Sequence, residues 1–163
     1  MVTACGTPMT TPAAPEMPAT LKPADNEKLA FTWHAVGSQI YECKAGDKGA
    51  MAWAFVAPEA DLFDDRREKV GVHGAGPHWA ALDGSKVVAA AQAQSPGQHA
   101  ADIPWLLLTA KAHEGTGKME RVTSVQRVNT QGGKAAGGCE TSADAGKRLR
   151  QDYSADYVFF VAK

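Results

Sequence analysis

Apolar and polar residues alternate with a period of two along most of the chain, which is the pattern of half-buried β-strands. It is clearest near the C-terminus, where one face carries Tyr153, Ala155, Tyr157 and Phe159 and the other carries Ser154, Asp156 and Val158. Similar alternation runs through residues 28–34, 39–43 and 51–56. The runs are bounded by Gly, Pro, Asp or Asn, which commonly separate strands. The pattern therefore predicts an all-β protein.

Turn signals between these runs favour antiparallel pairing. Asp83-Gly84 predicts a hairpin, because a type I′ turn needs a positive φ at both central positions. Together the runs and turns predict a single-domain β-sandwich or barrel of about 8–10 short, mostly antiparallel strands with long Gly-rich loops. Residues 87–98 are rich in Ala and Gln and compatible with a helix, but Val87-Val88 and the hairpin signal favour a strand. A short helical turn is compatible with residues 143–147.

The first 24 residues differ in composition from residues 25–163, which hold the predicted β domain. Val2-Thr3-Ala4-Cys5-Gly6 has the pattern of a lipobox, so we expect a lipoprotein signal that is cut short, with Cys5 lipidated. Five of the nine prolines follow within residues 7–25, as in an extended spacer. These features predict an exported protein, periplasmic or on the outer surface, that meets the membrane only through the lipid on Cys5. A chance match followed by a terminus without a role is the alternative.

The chain has three cysteines. If Cys5 carries a lipid, Cys43 and Cys139 remain as a pair, and we expect a disulfide between them. A loop of that length would stabilise the fold by roughly 4–5 kcal/mol in the chain-entropy treatment. The alternative is two free buried thiols. The sequence has no C-x-x-C, which excludes thioredoxin-like chemistry and a zinc ribbon.

The charge balance adds little. A formal net charge of −1 lacks the basic excess of nucleic-acid-binding proteins, so no nucleic-acid partner is expected. Residues 116–163 hold eight basic against five acidic residues. That excess is typical of a solvated face and also compatible with a patch for an anionic ligand. No apolar run approaches the ~20 residues that span a bilayer as a helix.

The best candidate site is the segment His73-Gly74-Ala75-Gly76-Pro77-His78-Trp79. Its Gly-rich turn can bring two imidazoles together, and Trp79 supplies an aromatic wall. Imidazole suits zinc (Zn) and copper (Cu), so we predict His73 and His78 as metal ligands and Trp79 and Asp83 as further ligand-binding residues. A structural turn with surface histidines is the competing interpretation. Additional metal ligands would have to come from elsewhere, for example from His34, His113 or Asp83.

Signals for catalysis are weak, and no catalytic residue is predicted. The sequence lacks G-x-S-x-G, H-E-x-x-H, the phosphate-binding loop and the dinucleotide-binding glycine motif. Two carboxylate pairs, Glu59/Asp61 and Asp64/Asp65, each lie within one segment, which rarely gives the spacing of a glycosidase. The tryptophans could stack on a glycan, but in a β protein they are more often core residues. Trp79 is the exception to consider, because it follows a loop.

Several segments, in order, resemble the DUF3455 family over about residues 24–160. They are His34–Cys43, Ala57–Asp64, Gly76–Trp79 with Asp83–Ser85, Ile103–Leu108, and Thr123–Thr130 with Gly132-Gly133 and Cys139. The resemblance implies an exported single domain with a Cys43–Cys139 pair, similar to proteins of bacteria and fungi without an established activity. His78 stands where many members have a small or polar residue, which argues against a metal site common to the family.

Taken together, these features predict an exported, non-catalytic β domain. It would bind a small ligand, such as a metal ion or a cell-wall glycan, through residues 73–85. A structural or protein-interaction module of the cell envelope, acting through unpaired sheet edges, is the first alternative. A hydrolase without a recognised motif is the second.

Overall fold

A computed structural model describes residues 17–163. Eight antiparallel strands form one sheet that closes into a barrel, which confirms the all-β prediction and decides between barrel and sandwich. Short 3₁₀ turns lie at Ala19–Leu21 and Ser142–Asp144. The strands are β1 (Glu27–Ala45), β2 (Met51–Phe63), β3 (Lys69–Gly74), β4 (His78–Ala81), β5 (Lys86–Ser95), β6 (Trp105–Glu114), β7 (Val122–Gly132) and β8 (Arg148–Ala162).

The strands follow one another around the ring in chain order, and β1 closes it by pairing with β8. Trp33 lies opposite Tyr157 at this junction. Because successive strands are antiparallel, the turns after β1, β3, β5 and β7 gather at one end, here termed the open end. The turns after β2, β4 and β6 gather at the other, the closed end. Turns that are close in sequence, such as those after β3 and β4, therefore lie at opposite ends of the barrel.

Large aromatic side chains fill the barrel interior. The predicted inward face of β8 is confirmed, since Tyr153, Ala155, Tyr157 and Phe159 are all buried. The Phe31 and Phe159 rings stack with centroids 4.7 Å apart, and Trp33 meets Phe159 at 5.7 Å. Such aromatic pairs stabilise the core in addition to the stabilisation that comes from burying apolar surface. An eight-stranded barrel is just wide enough to be filled by side chains or to hold one small ligand.

β1 is a single strand of 19 residues, although the sequence pattern treats 28–34 and 39–43 as separate runs. Gly37 lies between them, where the backbone of β2 comes very close. A Cβ on Gly37 would collide with the carbonyl oxygen of Glu59, so only glycine permits this approach. The glycine that interrupts the sequence pattern thus keeps the strand continuous.

Lys118 and Met119 form a small hydrogen-bonded segment at the closed end, here termed the plug. Met119, on the loop after β6, is fully buried in the core, and its backbone nitrogen donates to Ser85 Oγ at 3.0 Å. Asp83 accepts from the Lys118 backbone nitrogen at 2.7 Å and from the Ser85 hydroxyl at 2.5 Å. The turn after β4 therefore holds the plug in place.

The N-terminal segment Met17–Leu21, here termed the strap, packs on the outside of the barrel. Leu21 is fully buried against Trp105, Leu107 and Val128. Its carbonyl oxygen accepts a hydrogen bond from Gln126 Nε2 at 2.6 Å. Contacts with the barrel thus begin before residue 25, within the predicted linker. The predicted lipidation site, Cys5, lies outside the described residues.

The secondary structure tests two local predictions. Residues 86–95 form β5, which confirms a strand over a helix there. The predicted helical turn near residue 143 is the 3₁₀ turn Ser142–Asp144. Within the part of the chain that the structure describes, none of the helical segments has the length and apolar character needed to cross a membrane.

Candidate functional site

A cavity of about 270 Å³ opens at the open end of the barrel and reaches into its interior. Each of the strands β1–β8 places at least one residue in its wall, and the turn after β3 adds two more. The lining residues are Gln39, Phe55, Val56, Pro58, His73, Gly76, Pro77, Trp79, Ala91, Leu106, Leu108, Arg127 and Tyr157. Most of them are apolar or aromatic, so the wall favours a largely apolar ligand.

The entrance is formed by exposed apolar side chains. Phe55 and Val56, on β2, are 54% and 41% exposed. The Phe55 ring contacts Tyr41 edge-on with centroids 5.8 Å apart, and the Tyr41 hydroxyl donates to the Gly133 carbonyl at 2.5 Å. Large apolar side chains left in water beside a cavity are typical of a binding surface.

Arg127 supplies the only ionised side chain that the described residues place in the cavity wall. It lies on β7 between Leu106 of β6 and Tyr157 of β8 and is half-buried. Its Nε and Nη2 atoms donate to the Pro104 carbonyl at 3.0 and 2.7 Å. Within residues 17–163 no carboxylate forms an ion pair with it. A guanidinium has five N–H donors, so the carbonyl does not exhaust its capacity.

His73 and Trp79 form the inner wall and stack with ring centroids 4.6 Å apart. His73 Nδ1 lies 2.8 Å from the backbone carbonyl of His78. A carbonyl only accepts, so Nδ1 carries the proton and Nε2 has a free lone pair. Burial, which is the largest cause, lowers the pKa of His73 to about 3, and the charge of Arg127 acts in the same direction. The imidazole is therefore neutral at physiological pH.

Buried polar atoms beside the cavity are incompletely satisfied. Trp79 Nε1 and Gln39 Oε1 have no hydrogen-bond partner within residues 17–163, and such a group costs about 1–3 kcal/mol in a protein interior. The Tyr153 and Tyr157 hydroxyls lie 3.1 Å apart, and burial raises the pKa of both phenols. The cavity wall thus includes the neutral Tyr157 hydroxyl, an indole N–H and one guanidinium.

The structure separates the residues predicted for one ligand site. His73 and Trp79 line the cavity, whereas His78 lies beside it, with its Nδ1 2.7 Å from the Ala75 carbonyl. Asp83 lies at the closed end and holds the plug. Across the described part of the chain no three His, Cys, Asp or Glu side chains gather as metal ligands. The predicted zinc or copper site at His73 and His78 stays a prediction.

The contacts of Asp83 predict a structural effect. We expect Asp83→Ala to lower the free energy of unfolding by about 1–2 kcal/mol, because three donors lose their acceptor: the Lys118 backbone nitrogen, the Ser85 hydroxyl and the Ser85 backbone nitrogen. Urea denaturation of the variant beside Asp47→Ala, an exposed turn residue at the open end, measures this loss. An unchanged midpoint together with lost ligand binding would instead support Asp83 as a ligand-binding residue.

The predicted carboxylate pairs do not face the cavity. Glu59 and Asp61 point outward from β2, where they form ion pairs with Arg150 at 3.2 Å and Lys69 at 3.1 Å. Asp65 instead contacts His34 Nε2 at 2.8 Å. On the other side of that ring, Nδ1 meets Asp156 at 2.6 Å. The hydrogen bond with Asp156, followed by the one with Asp65, raises the pKa of His34.

A cysteine pair fixes the rim of the open end. Cys43 and Cys139 lie at disulfide distance, with Cα atoms 5.6 Å apart, a spacing typical of disulfides. The pair joins the β1–β2 hairpin to the loop after β7. Trp53 Nε1 adds a hydrogen bond to the Gly137 carbonyl of that loop at 2.6 Å. The loop is thereby held against the hairpin that carries Phe55.

Sequence reasoning missed several cavity residues, of which Arg127 matters most. In the sequence it is one of eight basic residues in a mildly basic region. The sequence around it gives little signal, because Ser124, Gln126 and Asn129 interrupt the apolar positions of this run. An arginine in a core-facing position is uncommon unless it has a partner.

One comparison with known proteins gives a match. The family model described as "Protein of unknown function (DUF3455)" matches residues 23–161, which includes every residue of the cavity wall. No curated protein and no solved structure matches the chain.

Proposed function

Since the chain belongs to the DUF3455 family of proteins of unknown function, we propose a function from its own cavity: a non-catalytic binding domain that admits one small, largely apolar molecule. The observation that carries this proposal is the cavity at the open end, with Phe55 and Val56 at its entrance and Trp79 and Tyr157 at its base. Eight-stranded barrels commonly hold one small ligand in this position. A volume of about 270 Å³ is close to the lower limit of small-molecule sites.

The wall chemistry supports binding over catalysis. Within residues 17–163, the lining residues include no carboxylate, hydroxyl nucleophile of Ser or Thr, or cysteine. His73 is neutral and its Nδ1 is committed to a backbone carbonyl. A general acid or base works best with a pKa near the working pH, and a pKa of about 3 does not meet that requirement at neutrality.

The proposal includes export, as the N-terminal pattern suggests. A cysteine pair at bonding distance supports it, because disulfides persist mainly in oxidising compartments. The interaction-module alternative has less support, because each of the strands β1–β8 pairs with a neighbour on both sides. Among those strands only partial edges remain, such as residues 51–59 of β2, which pair with β1 but not with β3.

Calorimetric titration of the oxidised 163-residue chain with 1-octanol tests the proposal. We expect the wild type to bind, and Ala91→Trp to bind at least about tenfold more weakly because the indole occupies the entrance. Ala112→Trp is the matched control. Ala112 is an exposed alanine of β6 that does not line the cavity, so its indole should leave binding unchanged.

The two tryptophan variants separate the possible results. Equal weakening, or no weakening, in both variants would place the bound alcohol outside the cavity. A wild-type protein that gives no binding heat at any temperature from about 10 to about 35 °C would contradict the proposal, since apolar binding changes its enthalpy with temperature through a negative heat-capacity change.

A further inference from the structure

We propose that the molecule held in the cavity carries a single carboxylate, which binds to Arg127. This inference rests on the proposed function and adds the ligand's chemical class. The ligand is then a short amphipathic monocarboxylate, with its charged group at Arg127 and its apolar body toward the entrance.

The first argument is charge. Arg127 is half-buried and has no carboxylate partner in the described residues, and its charge acts on the titration of Tyr41, His73, Tyr153 and Tyr157. Burying a charge without a partner is costly. An anionic group bound in the cavity would supply the countercharge to Arg127, which no carboxylate of residues 17–163 supplies.

The second argument is hydrogen bonding. The guanidinium retains donors beyond those given to Pro104, and Trp79 Nε1 is a buried donor without an acceptor among the described residues. Both residues line the same cavity. A carboxylate has about four lone-pair sites, only accepts, and matches the planar guanidinium. Tyr157 also lines the cavity, and its hydroxyl forms a hydrogen bond with that of Tyr153 at 3.1 Å.

The third argument distinguishes a carboxylate from a phosphate. Within the described part of the chain, Arg127 is the only cationic side chain in the wall, since His73 is neutral and no lysine lines the cavity. One positive charge balances a monoanion but leaves part of a phosphomonoester's charge of about −1.5 to −2 uncompensated in a partly dry site. The wall also carries Phe55 and Val56 on β2 and Leu106 and Leu108 on β6, the strand next to Arg127, which suit a short hydrocarbon or aromatic body.

Calorimetric titration with sodium octanoate, 1-octanol and octyl phosphate tests this at about pH 7 in the oxidised wild type. We expect octanoate to bind at least about tenfold more tightly than 1-octanol, as a charge-assisted hydrogen bond predicts, and more tightly than octyl phosphate. Arg127→Gln should abolish this preference, because the affinity for octanoate should fall much further than the affinity for 1-octanol. Arg127→Lys keeps the charge without the planar fork and should retain part of the preference.

The ratio of the octanoate affinity to the 1-octanol affinity distinguishes a ligand-binding role of Arg127 from a structural role through its hydrogen bonds to the Pro104 carbonyl. Loss of the structural role alone would change both affinities together. If the wild type binds both compounds equally, the carboxylate inference fails and the cavity proposal stands. Tighter binding of octyl phosphate also overturns it. If neither octanoate nor 1-octanol binds, both proposals fail. The wild-type ratio decides the matter even if Arg127→Gln does not fold.

Discussion

Replacing both Cys43 and Cys139 by alanine is expected to lower the free energy of unfolding by roughly 4–5 kcal/mol. The two residues are 96 positions apart, so the bond removes a large part of the chain entropy of the unfolded state. The same loss should follow reduction of the wild type. Urea unfolding of oxidised, reduced and double-alanine protein measures it, with the intact mass before and after reduction as evidence of the bond.

Cys5→Ala provides the matched control, because it removes the third cysteine and leaves the pair intact. Its unfolding midpoint should equal that of the wild type. A double-alanine protein that is as stable as this control would show that Cys43 and Cys139 are free buried thiols. We also expect the double variant to bind 1-octanol more weakly, since the rim beside Phe55 would no longer be fixed.

Acid is expected to destabilise the protein through His73. Its pKa is about 3 in the folded chain, against an ordinary value of 6.5 for a solvated histidine. The unfolded chain therefore binds more protons between these values, and stability falls as the pH drops below 6.5. Linkage gives a loss of about 2 kcal/mol at about pH 5. His73→Gln removes the titrating group, so its stability should change less between about pH 6.5 and 4.5, as urea unfolding at each pH would show.

His34→Gln is the control for that series, because the sign at His34 is opposite. The pKa of His34 is raised in the folded state above 6.5, so it contributes stability below that pH that is lost as the pH rises through the folded pKa. The control should therefore retain the acid slope of the wild type. Its stability should be lower than that of the wild type by a constant amount below pH 6.5, and the difference should shrink as the pH rises through the folded pKa. Parallel curves for His73→Gln and the wild type in acid would contradict the burial of a neutral His73.

The fold could be predicted as far as local pattern reaches. The inward face of β8 follows from strict alternation. The β4–β5 hairpin is at the position that Asp83-Gly84 predicts, but the predicted type I′ turn is wrong, because Gly84 has a positive φ (95°) and Asp83 does not. Closure of the ring does not follow, because it depends on pairs such as Trp33 with Tyr157, which are distant in sequence. No local pattern specifies that two strands at opposite ends of a chain will meet.

The candidate site was predicted only in part, for two physical reasons. His73 and Trp79 lie on the paired strands β3 and β4, so their proximity follows from one hairpin. Asp83 follows Trp79 closely in sequence, but β4 leads the chain away toward the closed end. Arg127 was missed because β7 has register shifts on both sides of it, at Val122/Ser124 and Val128/Gln131. These irregularities interrupt the alternation from which an inward position is read.

The strap has a mechanical consequence. Tension applied to residues before Met17 passes along the backbone and reaches Leu21 before it reaches Glu27, where β1 begins. The contacts of Leu21 with Trp105 and Gln126 therefore bear the load first. β1 closes the ring with β8, so its detachment would open the barrel. The strap delays that event, and a pull on the N-terminal side is resisted at the barrel wall before the seam between β1 and β8 is stressed.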